Sequence, residues 1–250
     1  CYSFGLQMAE GRSLSDLGPV SLLIAHQPSL RDVLQTIIHY RHLVNPTLSM
    51  LIEEEGDIAI VREELTIGGD ALPRQASELA LAVLLGFFRL VLGAQWKPVS
   101  VSLIHHRPTD LSDHHRVFGC PLDFGSAQSG IVCLTRDLDR PNPQANAAYA
   151  MHARQFIEVQ SRPESRSLGS DVRQAIILLL PSGRASIATV AQTLGQNVRT
   201  MQRRLDAEGL VVSDLLDEVR RELALRYLDN PKFRLLHIAE MLGYATPASF

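Results

Sequence analysis

The amino-acid sequence predicts an α+β domain followed by an all-α domain built as a double helix-turn-helix. Three observations predict it. Strand-like alternation and helix-like spacing mix over about residues 4–140, whereas only helical patterns follow the polar stretch "SRPESRSLGS" at 161–170. Charge divides at the same place: residues 1–164 hold 13 Lys and Arg against 18 Asp and Glu, and residues 165–250 hold 11 against 9. The helical part also repeats itself at an offset of 48 residues, "IATVAQTLG" (187–195) against "LLHIAEMLG" (235–243).

In chain order, "SLRDVLQTIIHYRHLV" opens on Ser29 as an N-cap and then sets Val33, Ile37, Ile38 and His42 near helical spacing. "TLSMLIEEEGDIAIVREEL" reads as a hairpin turning at Glu55, Gly56 and Asp57, with Glu53–Glu55 on its rim. "RQASELALAVLLGFFRLVLGAQW" (74–96) is a long helix, apolar nearly all round and therefore central. "VSVSLIHH" alternates as a strand, a polar helix follows near 110–117, and "PLDFGSAQSGIVCLT" reads as another strand pair about a Gly/Ser turn. A helix over 143–160 leads into the polar stretch. Helices are then expected at 171–180, 186–194, 198–208, 214–228 and 234–242, with a further start at Pro247. The domain limits that follow are 1–142 for the mixed domain, 143–167 for a linker helix and loop, and 168–250 for the helical domain. The chain opens on "CYSFG" and closes at Phe250 inside a helical pattern, so it reads as a piece of a longer protein.

Composition narrows the function classes. The 250 residues are 46% hydrophobic and 20% charged, with a formal net charge of -3 and a mean hydropathy of +0.04, ordinary values for a globular protein in water. No apolar run reads as a membrane span, and nothing resembles a secretory signal. Cys1, Cys120 and Cys133 form an odd set without C-x-x-C spacing, which argues against a disulfide framework or a zinc knuckle and fits a reducing cytoplasm. Cys120 and Cys133 flank the second strand pair and read as buried thiols.

Each repeated position has a physical reason in a helix-turn-helix. Ala191 and Ala239 must be small because the next helix crosses over them at close range. Gly195 and Gly243 end the first helix, where φ turns positive and a Cβ would clash. Asn197 caps the following helix, and Thr246 takes that role in the second copy. Met201 and Leu205 turn inward and leave Arg199, Gln202, Arg203 and Arg204 outside. The joining helix "SDLLDEVRRELALRYL" begins at a Ser213 cap and continues for 15 residues, roughly 22 Å at helical rise. With the flanking bundles added, two reading heads would sit about one DNA turn, near 34 Å, apart.

On these residues the segment from about Ser182 to the end resembles the double helix-turn-helix of the AraC/XylS transcription regulators. The R-T-x-Q-R-R-L run (199–205), A-x-x-Y-L in the joining helix (224–228) and I-A-x-x-L-G-Y in the second copy (238–244) carry the likeness. Upstream, "FGLQMAEGRSLSDLGPV" and "HHRVFGCPLDFGSAQSGIVCLTRDLDRP" are similar to the effector-type, arabinose-binding-like N-terminal domain of one AraC subfamily, a label that identifies no sugar here. The resemblance implies a bacterial, cytoplasmic, sequence-specific DNA-binding transcription regulator. Its implied partners are double-stranded promoter DNA, RNA polymerase, a small-molecule effector and a second copy in a homodimer, with no membrane, cofactor or metal.

By the same resemblance Arg199, Gln202 and Arg203, on one stripe at i, i+3 and i+4, read bases, as do Thr246, Pro247 and Ser249 in the second copy. Arg can bridge guanine O6 and N7, and Gln adenine N6 and N7. Arg204, Arg220 and Arg221 are expected on phosphates, which position without specifying. Gln196 departs from the family, standing where an apolar residue is usual, and the second recognition helix stops at Phe250.

"HHRPTDLSDHH" gathers His105, His106, Asp110, Asp113, His114 and His115, ligand types for zinc or nickel. Neighbours on a strand or helix diverge, so solvated or packed histidines are expected there. The sequence offers no G-x-S-x-G elbow, Walker loop or H-E-x-x-H, and no enzyme is expected. Two rival readings stay open: a ligand-independent regulator whose N-terminal domain only dimerises, and an enzyme with an appended helical domain.

Overall fold

The computed structural model describes residues 3–65, 74–160, 167–244, 246 and 250, and the chain divides into two units, Cys1–Arg162 and Pro163–Phe250. The first unit runs α1 (Phe4–Glu10), a 3-10 turn (Leu14–Leu17), α2 (Val20–Ala25), α3 (Leu30–His39), α4 (Arg41–Val44), β1 (Leu48–Glu55) and β2 (Ile58–Leu65). It continues through α5 (Arg74–Leu92), β3 (Ser100–Leu103), α6 (Ser112–Phe118), β4 (Leu122–Phe124), β5 (Ser129–Leu134), α7 (Thr135–Leu138) and α8 (Ala147–Gln160). Its five strands form one sheet in the order β1-β2-β5-β3-β4, antiparallel except for the parallel pair β3 and β4. This is a mixed sheet with helices, hence an α+β unit.

Alternation decides which face of the sheet is buried. Met50, Ala59, Val61, Val101, Leu103, Ile131 and Cys133 share one buried core with Leu81, Leu84, Leu85, Phe88 and Val91 of α5. Helix α5 is the one described helix long and apolar enough to cross a membrane, and its apolar residues supply this core. Two glycines mark close approach: a Cβ on Gly5 of α1 would lie 2.1 Å from the Gln75 carbonyl oxygen on α5, and one on Gly130 of β5 would lie 2.9 Å from that of Val61 on β2.

Several elements differ from the sequence pattern. The segment opened by Ser29, whose Oγ accepts from the Asp32 N–H at 3.2 Å, breaks at Tyr40 into α3 and α4. β4 and β5 are not a hairpin. The β3–α6–β4 crossover pairs β4 parallel to β3, and the Gly125 and Ser126 N–H groups donate to the His105 and Leu103 carbonyls as the chain passes over the end of β3. β5 therefore returns on the other side of β3. The helix assigned to a linker, α8, packs on α2 and adds Ala153 and Ile157 to the first unit's core.

The second unit is helical in all its described secondary structure: α9 (Leu168–Leu179), a 3-10 turn (Leu180–Ser182), α10 (Ile187–Thr193), α11 (Val198–Ala207), α12 (Val212–Leu228) and α13 (Leu235–Met241). Buried Val172, Ala175, Ile176 and Leu179 make α9 its central helix. α12 faces the core with Leu215, Val219, Leu223 and Tyr227, one stripe at four-residue spacing. It starts at Val212, one residue before the expected Ser213 cap, whose hydroxyl donates instead to Asp214 Oδ1. The N-terminus of α9 is closed by Glu208, whose carboxylate accepts from the Leu168 and Gly169 N–H groups at 2.8 and 3.0 Å.

Candidate nucleic-acid interface

The 48-residue repeat reappears as a repeated pattern of backbone hydrogen bonds. After α10, the N–H groups of Leu194, Gly195 and Gln196 donate to the carbonyls of Val190, Gln192 and Ala191; after α13, those of Leu242, Gly243 and Tyr244 donate to Ile238, Glu240 and Ala239. Both turns are Schellman closures, with the glycine at φ 63° in the first and 70° in the second. Val190, Ala191, Ile238 and Ala239 are all buried beneath them.

The first turn delivers the chain into α11. Asn197 is its N-cap, and Oδ1 accepts from the Arg199 N–H at 2.9 Å. Met201 and Leu205 bury one face of α11, and Arg199, Thr200, Gln202, Arg203 and Arg204 stand exposed on the other. An open groove of about 510 Å³ is lined by Asn197, Arg199, Thr200, Gln202, Arg203 and Asp206. Among the described residues, no hydrogen bond or ion pair engages the side chains of Arg199, Gln202 or Arg203. An exposed face with two free guanidinium groups and an amide is suited to phosphate oxygens and base edges.

Arg221 on α12 is also exposed, but Arg220 differs from the expectation of a phosphate contact. Its Nε donates to the Leu242 carbonyl at 3.0 Å, Nη1 donates to Asp217 at 3.1 Å, and the guanidinium lies 4.9 Å from the Tyr244 ring centroid. It closes the C-terminus of α13 because the orphan carbonyls there need a cationic donor. Thr246 is exposed, whereas Pro247 and Ser249 lie outside the described residues.

In the first unit the structure treats the histidine-rich segment selectively. His106, Asp110 and His115 are exposed; Asp110 accepts from Ser112, and Asp113 pairs with Arg116. His105 and His114 instead converge on Glu78 of α5, their Nε2 atoms 3.2 and 2.8 Å from Glu78 Oε1. Burial pushes the Glu78 carboxyl up, but the two imidazoles outweigh it and hold its pKa at about 2. Sequence reasoning passed over Glu78, and its signal was a lone acid inside an otherwise apolar helix. Cys120 and Cys133 are free thiols, pushed up to about 11 and about 12 by burial.

Residues 1–142 match the family described as the arabinose-binding domain of AraC transcription regulator, N-terminal. The chain belongs to the AraC family of transcription regulators. The HTH-type transcriptional regulator VirS of Mycobacterium tuberculosis is 32% identical over 247 residues, 98% of this chain and 73% of VirS. The ornithine utilization regulator of Pseudomonas aeruginosa is 23% identical over 99% of this chain and 74% of its own length. The crystal structure of the transcriptional regulator CdpR from the same organism superposes with a TM-score of 0.50 at 25% identity, covering 98% of this chain and 80% of CdpR. DNA binding and control of transcription therefore come with AraC-family membership, and the relatives named are bacterial regulators.

Proposed function

We propose that this chain is a one-component, sequence-specific transcription regulator with a double helix-turn-helix in its second unit. α11 enters a major groove, with Arg199, Gln202 and Arg203 reading base edges and Arg204 and Arg221 resting on phosphates. The second head follows Gly243 and presents Thr246, Pro247 and Ser249, weaker readers because none is basic. The observation that carries the proposal is the identical hydrogen-bond closure at Gly195 and Gly243, followed at the first copy by a helix whose outer face exposes Arg199, Gln202 and Arg203.

The first unit binds a small-molecule effector and forms a homodimer, and the bound state alters promoter occupancy or contact with RNA polymerase in the cytoplasm. Its membership of the arabinose-binding domain family supports the effector role. Tyr149 and Phe156, seven residues apart on α8 and both more than half exposed, support a second copy as partner. No enzymatic role is assigned. The complete protein, incubated with fragmented genomic DNA and bulk competitor at moderate salt, should retain a small set of fragments sharing a motif. Retention without any shared sequence would overturn the assignment.

A further inference from the structure

The first unit holds a set of ligand atoms that DNA reading does not use. Glu78 sits fully buried in the second turn of α5; His105 reaches it from the segment after β3, and His114 from α6. The three ligand atoms lie within 4.8 Å of one another. Phe124 walls the group, its ring centroid 5.5 and 5.7 Å from those of the two imidazoles. Arg74 Nε also approaches Glu78 Oε1, at 3.3 Å, from a side chain that remains partly solvated.

The hydrogen bonding of this group is incomplete in a telling way. His105 Nδ1 lies 2.9 Å from the His106 carbonyl oxygen, which can only accept, so Nδ1 carries a proton and Nε2 is the ring atom left to face Glu78. That atom stands 3.2 Å from Glu78 Oε1. An imidazole nitrogen and a carboxylate oxygen so placed are joined by a cation between them, a proton or a metal ion. Glu78 Oε2 and His105 Nε2 are both buried without a hydrogen-bond partner of good geometry among the described residues.

We infer that Glu78, His105 and His114 form a binding site for a divalent first-row transition-metal ion. Ligand atoms held about 2.0–2.1 Å from one ion stand roughly 2.9–3.4 Å apart at octahedral or tetrahedral angles. The two separations from Glu78, 2.8 and 3.2 Å, lie near that range, and the three ligand atoms together fall within 4.8 Å of one another. Two imidazoles with one carboxylate select zinc, iron, cobalt or nickel over calcium or magnesium, which take oxygen ligands. The His106 carbonyl acts as the outer partner that orients a ligating histidine. Three protein ligands leave a coordination position open for water or for an exogenous donor. The ion would join α5, the segment after β3 and α6, and so stabilise the first unit. The site goes beyond the regulatory reading and does not depend on it.

The test uses the whole chain, stripped with a chelator and dialysed. Zinc is titrated against a fluorescent indicator, and cobalt is followed by visible absorption. The expected result is a single ion per chain, a higher melting temperature for the first unit, and cobalt ligand-field bands of low coordination number. His105→Asn and Glu78→Gln lose the bound ion, while His106→Asn, at an exposed neighbour, keeps it. The cobalt spectrum of the parent protein needs no variant and so stands even where Glu78→Gln fails to fold. Absence of stoichiometric binding by the parent, or binding unchanged in His105→Asn, would overturn the site and leave an imidazolium–carboxylate pair held by a proton. DNA affinity is not read, so failure here leaves the regulatory assignment standing.

Discussion

At the scale of single residues, neighbouring arginines stand in different surroundings, and different outcomes are expected when each is removed. Arg203 and Arg204 are both exposed on α11, but only Arg203 shares the stripe of Arg199 and Gln202. Arg203→Ala is expected to cost about 1–3 kcal/mol at a cognate site and to relax one base preference, whereas Arg204→Ala weakens all sequences alike and lowers the salt slope by about 1. Fluorescence anisotropy over a series of salt concentrations and operator variants separates the two. Arg220→Ala is expected to leave that slope unchanged and to lower the stability of the second unit, since its donors close the end of α13. The sequence distinguishes α11 from its surroundings through its arginines and the Asn197 cap. It does not reveal that Arg220 turns inward, because that depends on carbonyls 22 and 23 positions away.

At the scale of an element, helix ends carry the specificity of the fold. A Cβ at Gly195 would meet nothing within 4 Å, so Gly195→Ala is opposed by backbone strain alone, about 1–2 kcal/mol for a left-handed residue, readable by urea unfolding. Glu208 gives the start of α9 a titratable closure. Its carboxyl is held below the ordinary value of 4.5 by the Gly169 and then the Leu168 N–H groups. The folded protein thus binds that proton more weakly than the unfolded chain. The stabilisation is complete above 4.5 and is lost as pH falls through the lower folded value. Glu208→Gln should flatten this acid limb of the second unit's melting curve; an unchanged limb would refute the role. The turns at Gly195 and Gly243 were legible because Schellman geometry demands glycine locally, while the partnership of β4 with β3 was not, because strand alternation says nothing about which neighbour pairs.

At the scale of the molecule, the chain forms two compact units, Cys1–Arg162 and Pro163–Phe250. Residues 163–250 expressed alone are expected to keep a helical circular-dichroism spectrum and salt-dependent affinity for DNA, and residues 1–162 to lack that affinity. Glu63 on β2 marks the first unit: burial, and then the charge of Glu64, raises its carboxyl well above the ordinary 4.5. The folded first unit therefore holds that proton more tightly than the unfolded chain. The stabilisation is present below 4.5 and is lost as pH rises through the folded value. Glu63→Gln should raise the melting temperature of the first unit at neutral pH and above, match the parent in acid, and leave the second unit unmoved.

Local rules alone fixed the two-unit plan, the hairpin at Gly56, the buried helix α5 and the paired glycine turns, since period, caps and positive φ act within a few residues. Tertiary structure alone decided that Glu78 meets His105 and His114, that α8 joins the first core, and that β3 parts β4 from β5. Those outcomes arise from contacts between segments tens of residues apart, where burial and hydrogen-bond satisfaction choose among partners that the local sequence leaves equivalent.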